Sequence, residues 1–314
     1  MIWRIMSEAI RPYAFSELFD TGFRMIKHTW KPTLLTAVGG IGATSLIVTL
    51  SLRRIVMLST RFIGDAGDPA PELLLRTVLP TGAMLVLAAT LLAVGYLVCY
   101  LVASEALWAG ITGREAKVGS LIGRATGRHL GRVLLQFIIK GLIAAALWIV
   151  PSVIAGVIIS AQSNPGAVLI LLSVGSFLAA IAASIWLGVS LQFSTQAVVF
   201  GDYTAVDGLK ASIRLVRGSW WRVFGITLVL HIMISSIGGL LVTPVMFVTG
   251  VSVLPGLLSA AEPSPELIAR MVFLPMWLLM MLQQVAMVLL LPAFFGLFYL
   301  DLGARQGGDA FLPR

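Results

Sequence analysis

The sequence has few charged residues and almost no cysteine. Only 11% of its 314 residues are Asp, Glu, Lys or Arg, whereas soluble domains carry roughly 25%. The single cysteine, Cys99, excludes an internal disulfide, and we interpret it as a small packing residue. The low charge, with 58% apolar residues and a mean hydropathy of +0.98, predicts a membrane protein.

The sequence also lacks the motifs of common catalytic and metal sites. It has no His-Glu-x-x-His, no Cys-x-x-Cys, no clustered carboxylates and no Gly-x-Ser-x-Gly. The segment GGIGATS, Gly39 to Ser45, has part of a dinucleotide-loop pattern. It lies inside an apolar run, without a preceding strand, so a close-packing helix surface explains it better. We therefore expect no enzymatic activity, no metal and no cofactor.

Six runs of mostly apolar residues are long enough to cross a bilayer, which takes about 20 residues in a helix. They predict an all-α polytopic membrane protein with six transmembrane helices in a single membrane domain over residues 1–314. The runs are Pro32–Leu52, Thr77–Ser104, Val133–Ala161, Pro165–Phe193, Val223–Pro255 and Met271–Leu300.

Arginine and lysine are distributed unequally between the segments that connect these runs. Sixteen lie before the first run, after the last run or in the second and fourth connections, whereas the three opposite loops hold five. By the positive-inside rule, both termini are predicted to be cytoplasmic. This topology explains the net charge of +8, so no nucleic-acid partner is expected.

A basic segment precedes each odd-numbered run, and the three segments resemble one another. FSELFDTGFRMIKHTWKP, VGSLIGRATGRHLGRVLL and VDGLKASIRLVRGSWWRVFG align on Leu18, Leu121 and Leu209. Each predicts a helix of about four turns with an apolar and a basic face. The predicted architecture is three repeats of an interfacial amphipathic helix plus a transmembrane hairpin. The units cover about 15–104, 118–193 and 206–300, and 301–314 is a short cytoplasmic tail.

An amphipathic helix of this kind lies in the headgroup plane, with its cations at anionic lipid. In the third segment the apolar face consists of Val206, Leu209, Ile213, Val216 and Trp220. We predict headgroup contacts for ten cations, namely Arg24, Lys27, Lys31, Arg124, Arg128, Arg132, Lys210, Arg214, Arg217 and Arg222. The predicted interfacial anchors are Trp30, Trp220 and Trp221. Alternatively, the segments are ordinary cytoplasmic connectors that carry positive-inside charge.

Three stretches carry a resemblance to a known family. GDYTAVDGLKASIRLVRGSWWRVFGITLVL, LFYLDLGARQGGDAFL and FSELFDTGFRMIKHTWKPTLL are similar to segments of bacterial glycerophosphoryl diester phosphodiesterase membrane-domain-like proteins. The resemblance covers nearly the whole chain and implies a multi-pass protein of the bacterial inner membrane. In fused members a soluble phosphodiesterase domain follows the membrane part. This sequence stops at Arg314, so the resemblance implies the stand-alone membrane part.

Five polar side chains are predicted inside the spans: Gln136, Lys140, His231, Gln283 and Gln284. Buried ionisable groups in membranes are costly and face an interior or a wet cavity. We hypothesise that Lys140 and His231 point towards one another or towards a shared polar cavity. Alternatively, Lys140 reaches the cytoplasmic headgroups and the glutamines join helix to helix.

Two functions follow from these patterns. The first is a non-enzymatic inner-membrane protein that engages anionic lipid, as a scaffold or as a subunit of a complex with partner proteins. The second is a transporter or lipid-handling protein with a polar path near Lys140 and His231. A polar cavity open to one leaflet would favour the second, and a dry, close-packed bundle would favour the first.

Overall fold

The computed structural model describes residues 12–64, 71–114, 117–160, 167–259 and 265–307. Within these ranges the chain is helical and contains no β-strand. The helices are α1 (Phe15–Gly64), α2 (Pro71–Thr112), α3 (Val118–Arg124), α4 (Leu130–Ser160), α5 (Ala167–Ser190), α6 (Ser194–Gly201), α7 (Ala205–Val216), α8 (Trp220–Ser259) and α9 (Pro265–Arg305). A π-helical turn, Ala125–His129, joins α3 to α4.

In the described ranges, six helical segments are long and apolar enough to cross a membrane. They are Thr29–Ser51, Gly82–Thr112, Val118–Ile158, Ile170–Gly201, Trp220–Ile237 and Trp277–Arg305. Each overlaps one of the six apolar runs of the sequence. The prediction of an all-α polytopic membrane protein is therefore confirmed.

The three basic segments differ in how they meet their spans. In α1 the helix continues through Pro32, which removes one backbone donor without ending the helix, so the first segment and its span share one helix. The second segment reaches its span through the π-helical turn. The third forms α7, which is separated from α8 by a turn in which Gly218 has a φ of +90°. Such a positive φ ends a helix and favours glycine.

The chain divides into two compact units. The first contains Met1–Leu18, Thr126–Leu228 and Phe295–Arg314, and the second contains Phe19–Ala125 and Val229–Phe294. These boundaries do not coincide with those of the three repeats. The threefold repeat stays a prediction.

Phe193 lies in the core of the first unit. Its ring contacts the rings of Phe298 and Tyr299, with centroids 5.4 and 6.4 Å apart. Helix α7 packs against α4, α5 and α6 in the same unit. The Ser212 hydroxyl of α7 accepts a hydrogen bond from the Phe193 N–H (3.1 Å) and donates to the Ser190 carbonyl (2.8 Å). These contacts fix α7 against the transmembrane helices.

The core of the second unit is built around a close approach of α1 and α2. The core consists of Ala37, Ile41, Cys99, Ala103, Val285 and Val288. A Cβ added to Gly40 would lie 2.8 Å from the Cys99 sulfur, so a side chain at position 40 would collide with it. The interpretations of Cys99 as a packing residue and of the glycine segment as a packing surface are confirmed at this contact.

Candidate functional site

Helix α7 has one face in the protein interior and one face outside it. The buried residues are Ala205, Gly208, Leu209, Ala211, Ser212, Leu215 and Val216. Lys210, Arg214 and the following Arg217 are exposed. Thr204 caps the helix, since its side-chain oxygen accepts a hydrogen bond from the Asp207 N–H (3.3 Å). The helix therefore presents its three cations outward from a fixed support.

The buried face of α7 differs from the predicted apolar face. Two residues of the predicted apolar face, Leu209 and Val216, are buried against protein, whereas Val206 and Ile213 are 46% and 39% exposed. The buried strip instead runs through small residues such as Gly208 and packs on protein. Small residues have low hydropathy, so the apolar pattern placed the face towards the larger side chains.

The tryptophans after α7 form an aromatic cluster with Phe224. The Trp220 ring stacks on the Phe224 ring with an interplanar angle of 5° and a centroid distance of 5.3 Å. Trp221 meets Trp220 edge-on at 4.8 Å and is 78% exposed. An exposed indole next to exposed cations is the combination expected at a membrane–water interface.

Four of the ten cations that were predicted to contact headgroups form ion pairs with carboxylates of the same chain. Arg124 pairs with Glu105, Arg128 and Arg132 pair with Asp202, and Arg222 pairs with Asp301. The carboxylates lie at least 19 residues away along the chain. Sequence periodicity relates only near neighbours, so it could not pair these groups.

Asp202 accepts hydrogen bonds from two arginines. Arg128 binds it with both sides of its guanidinium fork, through Nε (3.2 Å) and Nη2 (2.5 Å). Arg132 Nη1 lies 2.7 Å from the same carboxylate. The hydrogen bond from Arg128, supported by that from Arg132, lowers the pKa of Asp202 below its ordinary value, because it favours the charged form. Asp202 is therefore ionised at neutral pH.

Asp301 is fully buried and joins the two ends of the first unit. It accepts hydrogen bonds from the Tyr13 N–H (2.7 Å), from Arg222 Nη2 (3.0 Å) and from Arg305 Nε (3.0 Å). Both arginines also donate to the Tyr13 carbonyl, at 3.2 and 2.7 Å. The Asp301–Arg305 pair has the i,i+4 spacing of a helix salt bridge, a signal that the sequence offers.

In the second unit, α1 carries the remaining predicted headgroup contacts. Arg24, Lys27 and Lys31 are exposed, and so is Trp30. The Lys31 ammonium lies 5.9 Å from the centre of the Trp30 ring. These side chains are accessible, and their contact with lipid stays a prediction.

Gln136 is fully buried in the first unit and connects three elements. Its Nε2 on α4 donates to the carbonyls of Ser194 (3.2 Å) and Ala205 (3.0 Å). A Cβ added to Gly208 would lie 2.6 Å from this nitrogen, so glycine leaves room for the amide. Gln136 thus joins α4 to α6 and α7, in agreement with the alternative that the glutamines join helix to helix.

The other four polar side chains that were predicted inside the spans are divided between the two units. Lys140, in the first unit, is half-buried with its Nζ 5.7 Å from the Phe137 ring centre. His231, in the second unit, is exposed, and Gln283 and Gln284 are half-buried. The cavity shared by Lys140 and His231 stays a prediction. In the part of the chain that the structure describes, no group of three or more His, Cys, Asp or Glu could hold a metal.

A family model matches most of this chain. Its description is "Domain of unknown function (DUF7847)", and it covers residues 31–302. Comparisons with curated proteins and with solved structures give no match. The match does not bear on the resemblance to the phosphodiesterase membrane-domain-like proteins, which stays a prediction.

Proposed function

The chain belongs to this family of unknown function, and we propose that it is a non-enzymatic bacterial inner-membrane protein that engages anionic lipid. Its exposed cations bind lipid headgroups, and both termini lie in the cytoplasm. Such a protein can hold a lipid environment around a partner, as a scaffold or as a subunit of a membrane complex.

The outward face of α7 is the observation that carries the proposal. Lys210, Arg214 and Arg217 are exposed, and none of the described residues forms an ion pair with them. The exposed Trp221 follows within one turn of the start of α8. Each cation near an anionic surface contributes about 1 kcal/mol, and the indole adds a boundary anchor.

The opposite face of α7 supports the same proposal. An isolated amphipathic helix has to order itself on the membrane, whereas α7 is already held by the Ser212 hydrogen bonds and by packing on α4, α5 and α6. Preorganised cations lose less conformational entropy when a headgroup binds. The proposed role is therefore selective retention of anionic lipid at this helix.

Native mass spectrometry of the full chain, purified with mixed phosphatidylglycerol and phosphatidylcholine, tests the proposal. Replacing Lys210, Arg214 and Arg217 by glutamine should lower retention of phosphatidylglycerol by more than about tenfold, since three contacts of about 1 kcal/mol are removed. Retention of phosphatidylcholine should not change.

The matched control keeps the charge and changes the side chains. The Lys210→Arg, Arg214→Lys, Arg217→Lys variant should retain phosphatidylglycerol within about twofold of the original chain, because headgroup attraction here depends on charge. Unchanged retention in the glutamine variant would reject α7 as the lipid-binding element.

A further inference from the structure

We propose that Arg128, Arg132 and Asp202 form a binding site for a phosphate monoester, in which the Asp202 carboxylate holds the two arginines until the phosphate displaces it. The site deepens the proposed function, on which it rests only for its location at the membrane surface. It is separate from the three cations of α7.

The two arginines already form an oxyanion site. Arg128 offers its fork and Arg132 a second guanidinium to one carboxylate, with contacts of 2.5 to 3.2 Å. A planar guanidinium binds phosphate with the same paired geometry as carboxylate. The positions that Asp202 oxygens occupy are therefore positions that phosphate oxygens can take.

The backbone at both ends of this cluster is unusual. Arg128 lies on the π-helical turn, and Asp202 has a φ of 53°, the only positive φ of a non-glycine residue in the described ranges. Isolated π-helical turns occur frequently at functional sites, and a left-handed residue other than glycine is uncommon. Two rare conformations therefore bring the arginines and the carboxylate together.

The helix surface next to the two arginines is uncovered. Gly127 and Gly131 directly precede them, and nothing lies within 4 Å of a Cβ added at either position. The segment Ile170–Gly201 that could cross the membrane ends at the residue before Asp202. The cluster therefore lies where a transmembrane segment ends, within reach of headgroups and of soluble anions.

The exposure of the Asp202 pair makes it displaceable. The side chains of Arg128, Arg132 and Asp202 are 58%, 38% and 47% exposed. Ion pairs that are this exposed are screened by water and contribute little to stability. The Asp301 carboxylate, by contrast, is 0% exposed and would leave a buried charge if displaced. Of these two clusters, the Asp202 cluster is the one that can exchange its anion.

Charge decides which phosphate can displace Asp202. A carboxylate and a phosphate diester each carry one negative charge on two oxygens, so a diester gains little by exchange. A phosphate monoester carries about −1.5 to −2 charges at pH 7 and has three acceptor oxygens. A monoester therefore neutralises the two positively charged arginines better than one carboxylate does. The ligand is therefore a monoester, either a lipid headgroup or a soluble compound.

Binding of phosphatidic acid to the full chain in phosphatidylcholine nanodiscs tests the site. Arg128→Gln with Arg132→Gln should weaken binding by at least about tenfold, because charge-assisted hydrogen bonds are lost. Arg128→Lys with Arg132→Lys, which keeps the charge but not the fork, should weaken it by less. Asp202→Asn should strengthen it several-fold, and asparagine tolerates the left-handed conformation.

The charge-matched control is Asp207→Asn, an exposed change in the same unit. Equal strengthening by Asp207→Asn and Asp202→Asn would overturn the site, since net charge alone would explain both. An equal loss of phosphatidylglycerol binding in the Arg128→Gln, Arg132→Gln chain would overturn it as well, because phosphatidylglycerol is a diester. No weakening in the Arg128→Gln, Arg132→Gln chain would also reject it.

Two further measurements are needed. One distinguishes a lipid ligand from a soluble ligand, and the other distinguishes this site from the proposed lipid binding at α7. Competition by inorganic phosphate at millimolar concentration indicates a soluble monoester, and its absence indicates a lipid headgroup; both outcomes support the site if the variants behave as described. In a chain that already carries glutamine in place of Lys210, Arg214 and Arg217, Arg128→Gln with Arg132→Gln should still weaken the binding of phosphatidic acid by at least about tenfold. The experiments can thus reject lipid binding at α7 and still support the Arg128–Arg132 site, or reject the site and still support lipid binding at α7.

Discussion

Gly208 shows why single positions matter in the first unit. Its missing side chain lets α7 lie against Gln136, Val198 and the Ser194 carbonyl. The amide of Gln136 fills this space and donates to two backbone carbonyls. Glycine and glutamine therefore depend on each other across two helices.

We predict that Gly208→Ala destabilises the protein by about 1–3 kcal/mol, the usual range for overpacking a tight core. The added methyl would lie 2.6 Å from the Gln136 nitrogen, and its other neighbours at 3.1 and 3.2 Å leave it little space. Thermal unfolding in detergent, followed by circular dichroism, should show a lower midpoint.

Gly188→Ala is the matched control for that change. Gly188 lies in α5 with nothing within 4 Å of an added Cβ. Alanine is the better helix former by about 1 kcal/mol, so the midpoint should stay or rise. An unchanged midpoint for Gly208→Ala would mean that α7 can shift away from Gln136.

At the scale of elements, Asp301 connects α9, α8 and the segment before α1. Its carboxylate is the shared acceptor for Tyr13, Arg222 and Arg305. Removing one partner of a buried ion pair costs about 3–5 kcal/mol, because the remaining charges lose their compensation. The arginines are about one-third exposed, so the lower end of this range applies.

We therefore predict that Asp301→Asn lowers the stability by about 3 kcal/mol. Asp202→Asn is the control, because an exposed ion pair contributes at most about 1 kcal/mol. Both changes remove one carboxylate charge that binds two arginines, but the Asp301 carboxylate is buried and the Asp202 carboxylate is exposed. Equal shifts of the unfolding midpoint in detergent would contradict the role of Asp301 as the buried connection.

The spans could be predicted from the sequence, but the contacts between them could not. Long apolar runs identify residues that avoid water, and all six helical segments follow from them. The cations beside these runs could also be identified from the sequence, because they lie next to the runs along the chain. Their carboxylate partners could not, since Asp301 meets Tyr13 across 288 positions and Asp202 meets Arg128 across 74. Hydropathy does not specify which helices are neighbours.

The burial of small residues on α7 could not be predicted from the sequence either. Gly208 and Ser212 lie on the buried face of α7, although neither is strongly apolar. Burial there is decided by close approach and by hydrogen bonds, which depend on Gln136 and Ser190 on other helices. The cations of α7 are exposed, because a charged side chain is costly to bury in the protein interior.

For the whole molecule, the charge asymmetry predicts that both termini lie in the cytoplasm. Alkaline phosphatase, which is active only outside the cytoplasm, should be active when fused within Asp65–Pro71 and inactive when fused at Arg314. A fluorescent protein that matures only in the cytoplasm should give the opposite pattern. The same result at both positions would contradict a six-span topology.

The single cysteine gives an independent test of that topology. Because Cys99 is buried and is the only cysteine, Cys99→Ser yields a background without thiols. In intact cells, an impermeant maleimide should label Asp68→Cys and should not label Ala310→Cys. After permeabilisation both should react, which shows that access and not reactivity made the difference. Labelling of Ala310→Cys in intact cells would place the carboxyl-terminal segment outside, and the basic face of α7 would then need a different anionic partner.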